Sequence, residues 1–251
     1  MKTKKENKRI ADPEGAVALG FIPNLTAFVI GLGIAYFNNW EVQDMVWSLW
    51  LCSLVLGFLT MLATIGAGAY IGLRVIRQND FDWPRQFPVI AFGIAIGLFI
   101  LGFFSLHFGA FHAGHSVFLQ LYFPIEGMPN DGFGSAFMNP ARLWIMVFQH
   151  LIKPYGLFLI PTIIVERQAV FKSLFETVRN IQTGNTQLSG DVGDNLSKTM
   201  FRPYINVVRM HLLIFFFAFC YAINVQSFIV FATVYFVYFF PWPELKKLKR
   251  S

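Results

Sequence analysis

Apolar positions gather into five long runs, residues 16–37, 46–73, 89–123, 141–165 and 203–240, separated by polar stretches. A hydrocarbon core roughly 30 Å thick takes about 20 apolar residues of helix to cross, and every run reaches that length. The last run would be a helix of roughly 57 Å, too long for one crossing. Asn224, Gln226 and Ser227 are its only polar cluster, so the pattern predicts a tight helical hairpin there and about six spans in all. The run 89–123 is also overlong. Gly109 and Gly114 are where it would break, its last turns emerging from the bilayer or bending back. The expected fold class is all-α, a polytopic transmembrane helix bundle.

Between the fourth and fifth runs, Phe171, Leu174, Phe175, Val178 and Ile181 recur at helical spacing, with Arg167, Lys172, Glu176 and Arg179 opposite. This is the pattern of a helix over 166–182 lying in the inner headgroup layer. The polar stretch from Thr183 to Ser197 reads as a mobile loop. The chain thus divides into a basic N-terminus (1–15), spans one to four (16–165), an amphipathic helix and loop (166–202), a two-span hairpin (203–240) and a basic tail (241–251). The spacings Gly93-x-x-x-Gly97 and Gly68-x-x-x-Gly72, and the set Ala27, Gly31 and Ala35, suit close approach of neighbouring helices.

Charge sets the orientation. Seventeen of the 20 Lys and Arg lie before the first run, between the second and third, after the fourth, or in the tail. The intervening loops, 38–44 and 124–140, carry Glu41, Asp44, Glu126 and Asp131 and a single basic residue, Arg142, at their edge. By the positive-inside rule both termini are cytoplasmic, and a bacterial inner membrane is the expected location. The basic N-terminus resembles the start of a signal peptide. Its apolar run exceeds the roughly 7–15 residues of such a segment and ends without a small-x-small cleavage pattern, so it is expected to remain as the first span.

At 55% hydrophobic and 14% charged, the chain is far more apolar than a soluble domain, where about 25% of residues are charged. Its net charge of +6 sits at span ends rather than on one face. Anionic inner-leaflet headgroups are therefore the expected neighbours, and nucleic acid is not. Cys52 and Cys220 fall within runs and read as packed thiols rather than a disulfide.

All 14 Asp and Glu lie in termini, loops or run boundaries. That disfavours a proton-coupled transporter and a carboxylate-bridged di-metal enzyme, both of which place acids within spans. No Walker-type loop, GxSxG or HExxH is present, so no nucleotide-driven or hydrolytic enzyme is indicated. Histidine remains. His107, His112 and His115 would share one broad face of a helix, with His107 and His115 about 80° apart. His150 and His211 fall at depths that differ by only about 4 Å across the core. Two imidazoles from different helices hold haem iron or a transition metal in many proteins; plain hydrogen bonding between helices is the competing account. His107, His115, His150 and His211 are the candidate ligands. Lys153, at mid-run, costs about 2.5–3.5 kcal/mol to insert. Either Pro154 opens its helix towards water, or Lys153 lines a polar cavity with Tyr155, Tyr204 and Arg209.

These residues carry a resemblance. His107-Phe108-Gly109-Ala110-Phe111 through His115, followed by Val117-Phe118, resembles the His-aromatic-Gly-x-Phe-x-x-x-His pattern of an uncharacterised bacterial integral membrane family, domain of unknown function 6498. Pro203, Tyr204 and His211 match its Pro-Tyr with a later His. Trp40, Trp50 and Gly57 fall at its spacings, and His150 matches more loosely. The chain departs from the pattern at Cys52-Ser53, where the family carries Glu-Asn, and at Tyr238 and Pro241-Trp242, where it carries Lys and Asp. The resemblance implies a polytopic fold and no established activity. The leading expectation is a binding or accessory protein, or a subunit of a larger membrane assembly, with a candidate histidine site. A membrane redox subunit holding haem or metal through histidines of spans three to five comes second, and a small transporter third.

Overall fold

The computed structural model describes residues 13–78, 83–171 and 228–242, with short stretches and single positions between 174 and 223, and Leu245. Helices dominate: α1 (Pro13–Phe37), α2 (Val42–Gln78), α3 (Trp83–Tyr122), α4 (Pro140–His150), α5 (Ile152–Tyr155), α6 (Leu159–Val170) and α7 (Phe228–Phe239). No strand occurs among the described residues. Two helices, α2 and α3, are long and apolar enough to cross a membrane, and α4 with α5–α6 makes a third candidate if taken as one bent span. The described apolar parts of α1 and α7, Phe21–Phe37 and Phe228–Val237, are shorter.

The α1–α2 turn is closed by its sequence. Asn39 takes φ 52°, a left-handed conformation that asparagine tolerates better than most residues. Its N–H donates to Tyr36 O at 3.1 Å, and that of Trp40 to Ala35 O at 2.9 Å. This pair of bonds is the Schellman ending of a helix, with buried Trp40 and Ala35 supplying its apolar contact. At the start of α2, Asp44 Oδ2 accepts from the Glu41 N–H at 2.9 Å, the acidic half of a capping box.

Helix α2 is the axis of the bundle: α3, α5, α6 and α7 all pack on it, while α1 packs on α6 and α7. The difference in burial is large. Of the most apolar stretch, 61% is buried in α2 and 6% in α3. Polar side chains on α2 are satisfied locally, since the hydroxyls of Ser48, Thr60 and Thr64 donate to Met45 O, Leu56 O and Thr60 O at 2.8 Å. Such back-bonding makes a hydroxyl cheap to bury in an apolar helix.

Two expectations from the apolar runs are corrected. Helix α3 does not break at Gly109 or Gly114 but continues to Tyr122. Glycine costs a helix only about 1 kcal/mol, and Gly109 is used for packing, with Leu143 3.4 Å from where its Cβ would stand. The run 141–165 is not one helix: the chain bends by 60° between His150 and Ile152. Pro154 is the cause, because a proline ring collides with the carbonyl four residues earlier, which here belongs to His150.

The small-residue sets divide. Ala27 and Ala35 are fully buried, and Gly31 lies directly beneath the Tyr235 hydroxyl and the Phe158 ring. Phe28 stacks on Tyr235 with centroids 5.1 Å apart, so α7 docks on this stripe. Among the described residues, Gly68, Gly72 and Gly93 instead face open space, and Gly97 meets only Ile65. Residues 166–170 belong to α6, and positions 174–176 and 178–179 are helical. The loop 183–197 and the bend at 224–227 lie outside the described residues.

Candidate functional site

One end of the bundle, marked by the α1–α2 turn, holds a buried cluster of rings and polar groups. Trp47 Nε1 donates to Phe123 O at 2.7 Å, and Trp50 Nε1 to His112 O at 3.1 Å. His112 is fully buried, its Nδ1 3.0 Å from Phe108 O and its Nε2 3.3 Å from Ser53 Oγ. Its ring lies 5.4 Å from Trp50 and 4.4 Å from Phe108. Sequence reasoning ranked His112 below the other histidines, yet it is the one that locks α3 to α2. Helical spacing placed it on the same broad face as His107 and His115; which part of that face meets α2 is a tertiary fact.

The segment after α3 folds back into this cluster. Gln120 holds the turn, Oε1 accepting from Ile125 N–H at 3.1 Å. Phe133 N–H donates to Ser116 Oγ at 2.7 Å, and the fully buried Phe133 ring lies 5.2 Å from Trp50, 6.1 Å from Trp47 and 6.5 Å from His150. Gly132, at φ 54°, sits so close to the Ser116 backbone that no Cβ would fit. The chain then descends further, because α4 begins deep in the bundle. Trp144 packs against Phe58 at 5.2 Å, about 21 Å along α2 from Asp44. Leu143 meets Gly109, a similar distance along α3 from Phe123. Helix α4 runs back from there, and Tyr155 O–H donates to Asp44 Oδ1 at 3.0 Å, beside Trp40 at 5.5 Å. The contacts thus carry residues 124–151 as a hairpin away from and back towards the α1–α2 turn, and the chain then bends by 60° into Ile152–Val170.

This path relocates the second candidate group. Lys153 is exposed and lies two residues from Tyr155, whose hydroxyl reaches Asp44 at the turn end. Tyr155 is buried and points at Asp44, so the two do not line one cavity. Tyr204 and Arg209 lie outside the described residues. Tyr155→Phe should lower the thermal midpoint in detergent, because a hydrogen bond to a carboxylate in this half-buried setting contributes about 1–2 kcal/mol. An unchanged midpoint would show that the hydroxyl does not hold α5 to α2.

Outside the hairpin, α3 and residues Phe137 and Met138 enclose an open groove of about 580 Å³ lined by His107 and His115. His107 stacks on Phe103 at 5.6 Å with an 8° interplanar angle. Phe111 stands between the two histidines, 5.2 Å from His107 and 6.2 Å from His115. Eight residues of helix separate their backbones by about 12 Å, with the Phe111 ring between the two imidazoles. His150 is half-buried near Phe133, and its expected partner His211 lies outside the described residues. No group of three His, Cys, Asp or Glu close enough for a metal ion occurs among the described residues.

Cys52 and Ser53, the positions that depart from the family pattern, face opposite neighbours. Ser53 meets His112, while Cys52 Sγ lies 3.4 Å from Thr162 Oγ1 on α6. Cys52 and Cys220 are both buried free thiols.

The geometry defines an all-helical protein with at least two helices fit to cross a membrane. Its residues 22–239 match the model of a family of unknown function, DUF6498, and the chain belongs to that family. No curated protein and no solved structure matches it.

Proposed function

We propose that this is a polytopic protein of a bacterial cytoplasmic membrane, with six spans, both termini cytoplasmic, and residues 124–151 dipping into the bilayer from the outer side. It acts as a binding or accessory protein, or as a subunit of a larger membrane assembly, rather than as a self-contained enzyme. The observation that carries this reading is the outward face of α3, where Phe87, Phe92, Leu98, Phe99 and Phe103 are all more than half exposed. Lipid tails, or the helices of another subunit, suit such a surface, and water does not. The one-sided distribution of Lys and Arg supports the orientation, and it sets the basic segments against anionic inner-leaflet headgroups. The hairpin fits the same picture: backbone that is not helical is tolerated at membrane depth when it is enclosed by protein, as Phe133 and its neighbours are. It also relieves the cost of Lys153, which this topology leaves at the outer boundary.

The test is a set of topology reporters. Fusions after Ser251 and within 183–197 should read cytoplasmic, and one near Asn130 should read external. A cytoplasmic reading at Asn130 would overturn the span count.

A further inference from the structure

The groove beside α3 has a more specific chemistry than a lipid-facing helix requires. Phe103, His107, Phe111, His115, Phe118 and Phe137 all turn rings to it. Phe103 and His107 lie near-parallel, and Phe99 follows Phe103 at 6.5 Å and 19°, so the rings form a ladder along α3. A flat ring packs against the exposed edges and offset faces of such a ladder. The volume of about 580 Å³ is within the range of roughly 300–1,000 Å³ that small-molecule sites occupy. Its mouth lies on the exposed apolar face of α3, so an occupant arrives sideways from the hydrocarbon and carries an apolar tail. No Lys or Arg lines it, which leaves a phosphate headgroup without a counter-charge. The polar atoms it does present belong to imidazoles, which hydrogen-bond neutral carbonyl or hydroxyl oxygens. Met138, held at φ 60°, closes the wall opposite α3.

We propose that this groove binds a membrane-dissolved quinone, its ring packed against the Phe103–His107 ladder, a ring oxygen at an imidazole and its tail in the bilayer. The proposal rests on the lipid-facing reading of α3. Gly114 provides the variant, since nothing among the described residues lies within 4 Å of a Cβ added there and a leucine would stand in the groove itself.

The experiment uses the full chain in phosphatidylcholine nanodiscs, a decyl-tailed 1,4-benzoquinone, and quantification of quinone retained per chain above empty discs. Saturation at one per chain is expected, with about a tenfold or greater loss of affinity in Gly114→Leu and no fall in its thermal midpoint. His107→Phe, which keeps the stacking and removes the hydrogen bond, should weaken binding several-fold. The proposal is overturned by any of three results: no saturable retention, equal retention by Gly114→Leu, or displacement of the quinone by phosphatidylglycerol at equal mole fraction. A fluorophore on Phe92→Cys separates the two readings. Quenching by chain-brominated lipid without quinone binding sinks this proposal alone, and absence of quenching sinks the membrane placement of α3 as well.

Discussion

Gly57→Ala should sharply reduce the yield of folded, monodisperse protein. A Cβ on Gly57 would land on the ring of Phe108, and that ring has nowhere to go. It is fully buried, stacked on Phe104 at 4.6 Å and packed against His112 at 4.4 Å. Overpacking of this kind costs about 1–3 kcal/mol and occasionally more. Alanine returns up to about 1 kcal/mol through its better helix propensity, so the packing cost decides the sign, and a net loss of about 2 kcal/mol is expected. Phe108→Leu in the same chain should recover part of it by vacating the space. Thermal denaturation in detergent checks both, and a Gly57→Ala protein as stable as the parent would contradict the close α2–α3 contact.

Phe133→Ala should release the hairpin while leaving the rest of the bundle assembled. Its ring fills the space between Trp47, Trp50 and His150, and Phe→Ala in a core costs about 3–5 kcal/mol. Residues 124–139 are held besides by Gln120 and Ser116 and by buried Met128 and Ala136, a local set of contacts, so the loss falls on local opening rather than global unfolding. A cysteine at Ala136, which is buried, probed with a membrane-impermeant maleimide from the outer side, should label about 100-fold faster in the Phe133→Ala background, the factor that roughly 3 kcal/mol represents. Equal labelling rates would mean that Phe133 does not hold the descending arm.

The long helices were legible because they are apolar on nearly every side, and length alone then marks them. Thus α1, α2 and α3 begin and end within a few residues of the apolar runs. The run 141–165 misled for the same reason. Apolarity does not encode direction, so two helices that meet at a 60° bend look like one span of suitable length. The warning signs were Pro154 and the Asn139-Pro140 pair, where Asn139 Oδ1 accepts from Arg142 N–H at 3.0 Å to cap α4. For the site, helical geometry put His107, His112 and His115 on one broad face and went no further. The choice of which side faced inward depended on Trp50 and Ser53, which belong to another helix. The glycine spacings failed as a guide because a gap on a helix attracts a neighbour only where one is present.

The docking of α7 has a consequence for biosynthesis. Tyr235 covers Gly31 and stacks on Phe28, although about two hundred residues separate them in the chain. At 5–20 residues per second, ribosomes need about 10–40 s to close that interval. Throughout it, the Ala27–Gly31–Ala35 stripe is without its final partner. Nascent chains halted before residue 228 should therefore be the forms most readily captured by membrane chaperones and quality-control proteases.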